Sequence, residues 1–495
     1  MSSNTFKTLP RLLTQRDFKT VRVTLQWIVT IFSLSFILNG AAQTAMDLPT
    51  LQVKKSSANK GKTISNAIVF SQGQIRRTGS TSVTQFLRKE GILSIQGSSG
   101  VNNQHNISIH GFGTNASQNA LVQIDGIPDT STSSVSGELN NIMPQNIGNI
   151  SVLPGSYGAR YGDQAVGGVV SITTHHPGKP IHQIQIGMGN NDQRFATLFY
   201  SQRFSNHIGV NLGFSGLQNH HNQPNALQKH YIVNGKMDYV GSNGNISLNF
   251  LGYQDNSRIP GYYALSTGQL RTDSLNFVDR KGSLSYLTGN YYFSPKWHWH
   301  GAVADNYDTD SGYFDEPIKD NQMHWLIQNS LHYKKMITVG DTLNFARYGA
   351  QTGTQVNENA SEIDNAVYAN SMLAISSQWD INLGARYSSQ ALTASDITRD
   401  NHTKNNDVFV SSTGLTWHIH PNLFWYIRRA GNFVFAKGNE QLWAQSTLKQ
   451  PLPLQNQTGV SYETGLDWQP QSDEFKVSLY QLDLNHELSI YIPLG

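Results

Sequence analysis

The sequence predicts a mainly β protein, a transmembrane antiparallel β-barrel preceded by a small N-terminal α/β domain. Three observations point there. The chain opens on an export signal, and its composition is polar and aromatic but poor in charge. Its second half repeats segments of about ten residues in which apolar and polar side chains alternate.

The N-terminus sets the compartment. Lys7, Arg11, Arg16, Lys19 and Arg22 precede an apolar run from Leu25 to Leu38, followed by the small residues Gly40, Ala41 and Ala42. A positive segment, a short apolar core and a small-residue exit describe a cleavable signal peptide over residues 1–42. The alternative is a membrane anchor, but the run is shorter than the ~20 residues a spanning helix needs. No other segment approaches that length, so the remainder enters a membrane only as strands.

Charged residues make up 14% of the 495 and hydrophobic ones 38%, while 43 Gly, 21 Tyr, 21 Phe and 9 Trp are prominent. That is too polar for a helical membrane protein and too poor in charge for a typical cytosolic one. Barrel strands show lipid only every second residue, which yields this balance. The net charge of +3 comes with no basic block or stacking motif, so nucleic acid is not an expected partner. With 0 Cys, a disulfide framework, a thiol nucleophile and a Cys-based zinc site are excluded.

Residues 43–62 are polar and aperiodic and read as a tether; a compact domain follows over 63–178. It opens on the apolar run Ala67 to Phe70. A helix capped by Ser80 or Thr81 comes next, with Val83, Phe86 and Leu87 spaced for one helical face. Short strands are predicted at Ile92 to Ile95, Asn106 to Ile109, Ala120 to Ile124, Ile150 to Leu153 and Gly168 to Thr173.

Over residues 179–495 the texture changes. Ile208, Val210, Leu212 and Phe214 alternate with Gly209, Asn211, Gly213 and Ser215; Phe475, Val477 and Leu479 alternate with Lys476 and Ser478. About fifteen such strands fit between His182 and Asp483. A soluble sandwich or propeller shares the period of two. The export signal and the aromatics near strand ends, such as Trp297, Trp299, Trp425 and Tyr426, favour the membrane, with outer-membrane lipid against the apolar face.

Four motifs follow in order inside the compact domain. Ile68-Val69-Phe70-Ser71 leads through Ile75, Gly79 and Ser82 to Phe86-Leu87-Arg88. Then come Ile107-Ser108-Ile109-His110-Gly111-Phe112-Gly113 and Leu121-Val122-Gln123-Ile124-Asp125-Gly126-Ile127-Pro128. The last runs from Ile147, Ile150, Val152, Pro154 and Gly155 to Arg160-Tyr161-Gly162, Ala165 and Gly167-Gly168-Val169-Val170. This succession resembles the plug domain of TonB-dependent outer-membrane receptors. Farther on, Gln457-Thr458-Gly459 and Tyr462-Glu463-x-Gly465 resemble a barrel-strand entry of the same family.

The resemblance implies a plug inside a barrel of about twenty-two strands. It implies active import across the outer membrane of a Gram-negative bacterium, energised by TonB with its inner-membrane complex. The implied ligand is an iron–siderophore complex, with cobalamin, another cofactor or an oligosaccharide as alternatives. A passive porin or adhesin is the second class; no nucleophile or phosphate-loop motif is present, so an enzyme is not expected and no resident cofactor is implied. Asp47-Leu48-Pro49-Thr50-Leu51-Gln52-Val53 is the candidate TonB box, a segment that adds as a strand to TonB. Gly111, Gly113, Gly126, Gly162, Gly167 and Gly168 suit tight turns and close backbone approach, and Asp125 is a turn former. His110 stands where the family usually has an arginine that pairs with barrel carboxylates, which implies a weaker pairing there. Arg160 is left as the expected partner for barrel acids.

Other constellations look chemical. His175-His176, His220-His221, His298-x-His300 and His418-x-His420 could chelate, but no third ligand is evident and no metal is expected. Asp305, Asp308 and Asp310, with Asp315 and Glu316, lack calcium-loop spacing and read as a solvated loop. The loop of Arg258-Ile259-Pro260-Gly261, with Gln269 and Asp273, resembles that of iron-complex receptors. The chain closes on Ile490-Tyr491-Ile492-Pro493-Leu494-Gly495, unlike the aromatic ending of such barrels. With about fifteen strands of twenty-two, the sequence predicts a C-terminally truncated barrel that neither closes nor imports alone.

Overall fold

A computed structural model describes residues 67–488 apart from 92, 98–104, 113–114, 130–138, 179, 221–224, 260–261, 265–268, 272–275, 315, 353–355, 396–400, 449 and 471–474. The signal peptide, the tether with Asp47 to Val53, Gly113, the acidic residue Asp315 and Ile490 to Gly495 lie outside these residues.

The N-terminal domain grows from its apolar runs. β1 (Ile68–Ser71) passes directly into the helix Gln72–Arg77. The second helix, Val83–Glu90, buries Val83, Phe86 and Leu87 on the face their spacing predicted. Its cap is Ser82, whose hydroxyl accepts from the Gln85 amide at 3.2 Å, rather than Ser80 or Thr81. Ser82 is the extended residue that immediately precedes the first helical turn, so only its oxygen reaches that amide. The helix stops at Gly91, at φ +67°.

β2 (Ser94–Gly97) and β3 (His105–Ser108) pair with each other. β4 (Ala120–Ile124), β5 (Ile127–Pro128), β6 (Ile147–Pro154) and β7 (Gly168–Thr174) join β1 in one sheet of order β1-β6-β7-β4-β5. Its core is continuous from Phe70 and Phe86 through Val122, Ile150 and Ile172.

The rest is a single antiparallel sheet of 15 strands in chain order. It begins with β8 (Ile181–Gly189), β9 (Gln193–Arg203), β10 (Ile208–His220), β11 (Leu227–Val240) and β12 (Gly244–Arg258). A hairpin of β13 (Tyr262–Ala264) and β14 (Gln269–Arg271) stands in the next connection. The sheet continues through β15 (Phe277–Tyr292), β16 (Trp297–Phe314), β17 (Glu316–Tyr333), β18 (Ile337–Thr352) and β19 (Val356–Ala374). It ends with β20 (Trp379–Ser395), β21 (Asn401–His420), β22 (Leu423–Val434), β23 (Gln457–Trp468) and β24 (Phe475–Asn485). Among the described residues β8 and β24 are the outermost strands, and no ladder joins them.

The two faces of this sheet are inverted relative to a soluble protein. On β10, Leu212 is 56% exposed while its neighbour Asn211 is 1% exposed. Lys236 on β11 is 4% exposed, and Val233 and Met237 beside it face out. An apolar outer face and a polar inner face are what lipid on one side and a polar filling on the other demand. Aromatic pairs mark strand ends, as in Trp297–Tyr333 at 4.7 Å and Trp379–Trp417 at 5.6 Å.

The acidic run expected in a loop is in strand β16. Asp310 pairs with Arg280 at 3.2 Å, Asp308 accepts from the Tyr253 hydroxyl at 2.6 Å, and Asp305 accepts from the Trp325 indole. The central strands run longer than the ~9–11 residues that cross a bilayer, so an acid-bearing stretch stays paired in the sheet.

Candidate functional site

The α/β domain packs on the polar face of the sheet, and its contacts with that wall form the candidate site. The first contact is built on the Asp125-Gly126 turn. Asp125 sits at φ +50° and Gly126 at φ +84°, which reverses the chain between β4 and β5. The Asp125 carboxylate accepts from the Thr174 amide at 2.7 Å, the Thr174 hydroxyl at 2.5 Å and the Tyr286 hydroxyl of β15 at 2.8 Å. Lys236 of β11 lies 3.6 Å away and donates to the Thr174 hydroxyl at 2.8 Å. Burial alone would raise this carboxyl. Lys236, His176 and the hydrogen bonds from Thr174 outweigh it and hold the group below the usual carboxylate range. Gln328 of β17 donates to the Gly126 carbonyl at 3.3 Å.

The link from β7 into β8 carries the His175-His176 pair, and the two side chains part company. His175 Nδ1 accepts from the Gln72 side-chain amide at 3.0 Å, while His176 pairs with Asp238 of β11 at 3.1 Å. Burial and the nearby Arg76 push His175 down to about 4. His298 stacks on His332 at 4.4 Å, and His418 bonds Asp380 at 2.6 Å. No group of three His, Cys, Asp or Glu able to hold a metal occurs among the described residues.

The second contact is the hairpin around the helix Gly158–Tyr161; the helix lies against β19 to β22, and the turn at Gly155 reaches β22 and β23. Asn432 donates to the Ser156 hydroxyl at 3.0 Å, and the Gln164 amide donates to the Phe433 carbonyl at 3.3 Å. A Cβ on Gly158 would stand 2.8 Å from both the Asn432 Cα and the Gly431 carbonyl oxygen, so only glycine permits this approach. Arg428 and Glu463 pair at 2.8 Å beneath the turn at Gly155.

The third contact joins the hairpin to the connection between β22 and β23, which holds the helix Gly438–Leu448. Lys437 pairs with Asp163, and Glu440 accepts from Gln118 and from the Lys437 amide. Glu362 of β19 accepts from the Gly438 amide at 2.7 Å. Burial pushes Glu440 up to about 7 in spite of the Lys437 charge.

Arg160, expected to meet barrel acids, is exposed and lies over the Tyr161 ring at 5.1 Å. Among the described residues the lysine pairs of this domain with the wall run the other way, from Asp125 and Asp163 to barrel-side lysines, while His176 meets the wall acid Asp238. His110, at φ +61°, stacks on Tyr480 of β24 at 4.1 Å, and burial lowers its pKa against the pull of Glu463. Gly111 and Gly162 have positive φ, while Gly167 and Gly168 pack against Phe112 and Ile109. Lys236, Tyr286, Arg428 and Lys437 did not stand out in the sequence. Their signal was a charged residue, or for Tyr286 a hydroxyl-bearing one, at the inward parity of a strand or just beyond its end.

Comparison with known proteins bears on this arrangement. The family model described as "TonB-dependent Receptor Plug Domain" matches residues 59–169, and "TonB dependent receptor-like, beta-barrel" matches residues 148–491. The ferric enterobactin receptor PirA of Pseudomonas aeruginosa is 38% identical over 85 residues, 15% of this chain and 11% of that receptor. A second ferric enterobactin receptor of Pseudomonas aeruginosa is 30% identical over 129 residues, 23% of this chain and 17% of that receptor. The matches therefore span less than a fifth of the curated relatives. Among solved structures, the ferric-catecholate import receptor Fiu from Escherichia coli K12 superposes with TM-score 0.69 at 15% identity, over 89% of this chain and 76% of that one. The unliganded ferric citrate transporter FecA gives 0.71 at 15% identity, over 85% and 70%.

Proposed function

Because the chain belongs to the TonB-dependent receptor family, whose members are outer-membrane proteins of Gram-negative bacteria, we propose that it serves TonB-dependent uptake of a ferric siderophore. One observation carries the reading: a folded plug occupies the polar face of the sheet through buried, charge-bearing contacts. A passive pore has no use for such a filling, and an adhesin has no need of one. Named relatives that bind ferric enterobactin support iron–siderophore cargo over cobalamin or an oligosaccharide. Asp47 to Val53 is the segment proposed to pair with TonB as an added strand, and Leu51→Pro should block that pairing by removing a backbone donor.

The test is uptake of radioactive iron by a siderophore-receptor-null strain expressing the chain, with and without TonB. Iron accumulation that depends on both one siderophore and TonB is expected, and it would overturn the sequence expectation that the chain does not import alone. Accumulation that persists without TonB would establish a passive pore instead.

A further inference from the structure

The wall at β22 and β23 carries a buried ion pair that belongs wholly to the barrel, yet the plug rests on it. Arg428 Nη2 meets Glu463 Oε2 at 2.8 Å, and the Tyr426 hydroxyl donates to Glu463 Oε1 at 2.8 Å. On the plug side, the Arg428 guanidinium lies over the Tyr157 ring at 4.3 Å. The turn at Gly155, at φ +103°, covers both Arg428 and Glu463 so closely that a Cβ would strike the Arg428 guanidinium and crowd the Glu463 carboxylate.

We propose that Arg428 is the residue that positions the plug on this wall, its edge paired with Glu463 and its face offered to Tyr157. The fate of the charges on separation is the physical reason. Where an ion pair is divided between plug and barrel, undocking strands a buried charge on each side, which is costly. Asp125–Lys236 and Asp163–Lys437 are divided in that way. At Arg428 both charges stay on the barrel and stay paired. Only the cation–π contact, the hydrogen bond between the Tyr157 hydroxyl and Arg428, and neutral hydrogen bonds break, and Arg428 keeps Glu463. At this point of the seam the plug is therefore seated specifically at Tyr157 and separates without stranding a charge, unlike at Asp125 and Asp163. This concerns how the plug is held and is independent of the cargo and of TonB.

The experiment is hydrogen–deuterium exchange on the purified full chain in detergent micelles, read at the amides of residues 155–162. Tyr157→Leu should speed their exchange at least tenfold, and Tyr157→Phe, which keeps the ring and loses only the hydroxyl's hydrogen bond to Arg428, should speed it several-fold less. Arg428→Lys keeps a charge for Glu463 but loses the planar face, so it should behave like Tyr157→Leu. Arg428→Gln alone removes the cation beside the buried Glu463 and could disorder the wall. The double variant Arg428→Gln with Glu463→Gln removes that problem. It should restore protection to the β22 and β23 amides while residues 155–162 stay exposed. Recovery of both regions in the double variant would overturn the proposal, as would an unaltered hairpin in Tyr157→Leu or Arg428→Lys.

Discussion

In the plug, Val83, Phe86 and Leu87 are fully buried and charged side chains such as Asp125 and Asp163 sit where it meets the wall. In the barrel the order reverses: Leu212 and Phe214 face out while Asn211 and Lys236 face in. The plug hides its apolar residues from its surroundings and the barrel displays them. The difference teaches which solvent each part meets, because apolar surface is left exposed only where the surroundings are apolar too. Between the two lies a polar seam, and there both parts bury charge.

The comparison can be broken at its strongest point first. Phe86→Ala, inside the plug core, should destabilise the plug by about 3–5 kcal/mol. Urea unfolding followed on plug amides should show the loss while the β9–β12 amides keep their midpoint. A shift of both together would mean that the two parts unfold as one. On the outer face, Leu212→Arg should cost about 2–4 kcal/mol where lipid is the solvent. The same variant should be near neutral if that face meets water, so the unfolding midpoint in lipid against mild detergent decides it.

Smaller effects sharpen the seam. Gly158→Ala forces a methyl against the backbone of Gly431 and Asn432. A cost of about 1–3 kcal/mol is expected, measured as an earlier loss of hairpin protection. The smallest is a pH dependence at the link into the barrel. His175 is held at about 4 against an ordinary 6.5, so folding favours its neutral form. Its contribution is complete above pH 6.5 and is lost as pH falls from 6.5 to about 4. Protection of the Thr174, His175 and His176 amides, taken relative to their intrinsic rates, should fall over that window, and His175→Gln should flatten the dependence.

Much of the fold was legible in the chain. The period of two placed strands such as Ile208–His220 because one face of each meets lipid and the other does not. The spacing of Val83, Phe86 and Leu87 placed a helix because that face had to be buried. The cap was misplaced by one or two residues, since Ser80, Thr81 and Ser82 are equivalent in sequence and only backbone geometry separates them. The acidic run read as a loop because strand extension beyond the bilayer leaves no compositional mark.

By itself, then, the sequence determined the two textures and the plug motifs, which are local and follow from side-chain period and turn chemistry. Only the tertiary structure decided which charges meet. Asp125 finds Lys236 and Asp163 finds Lys437 across 111 and 274 positions of chain, while Arg160 finds no acid among the described residues. Which inward residues come to face which plug turn is fixed by sheet register and by how the plug is seated. Neither leaves a period or a motif in the sequence, because both are properties of two surfaces meeting.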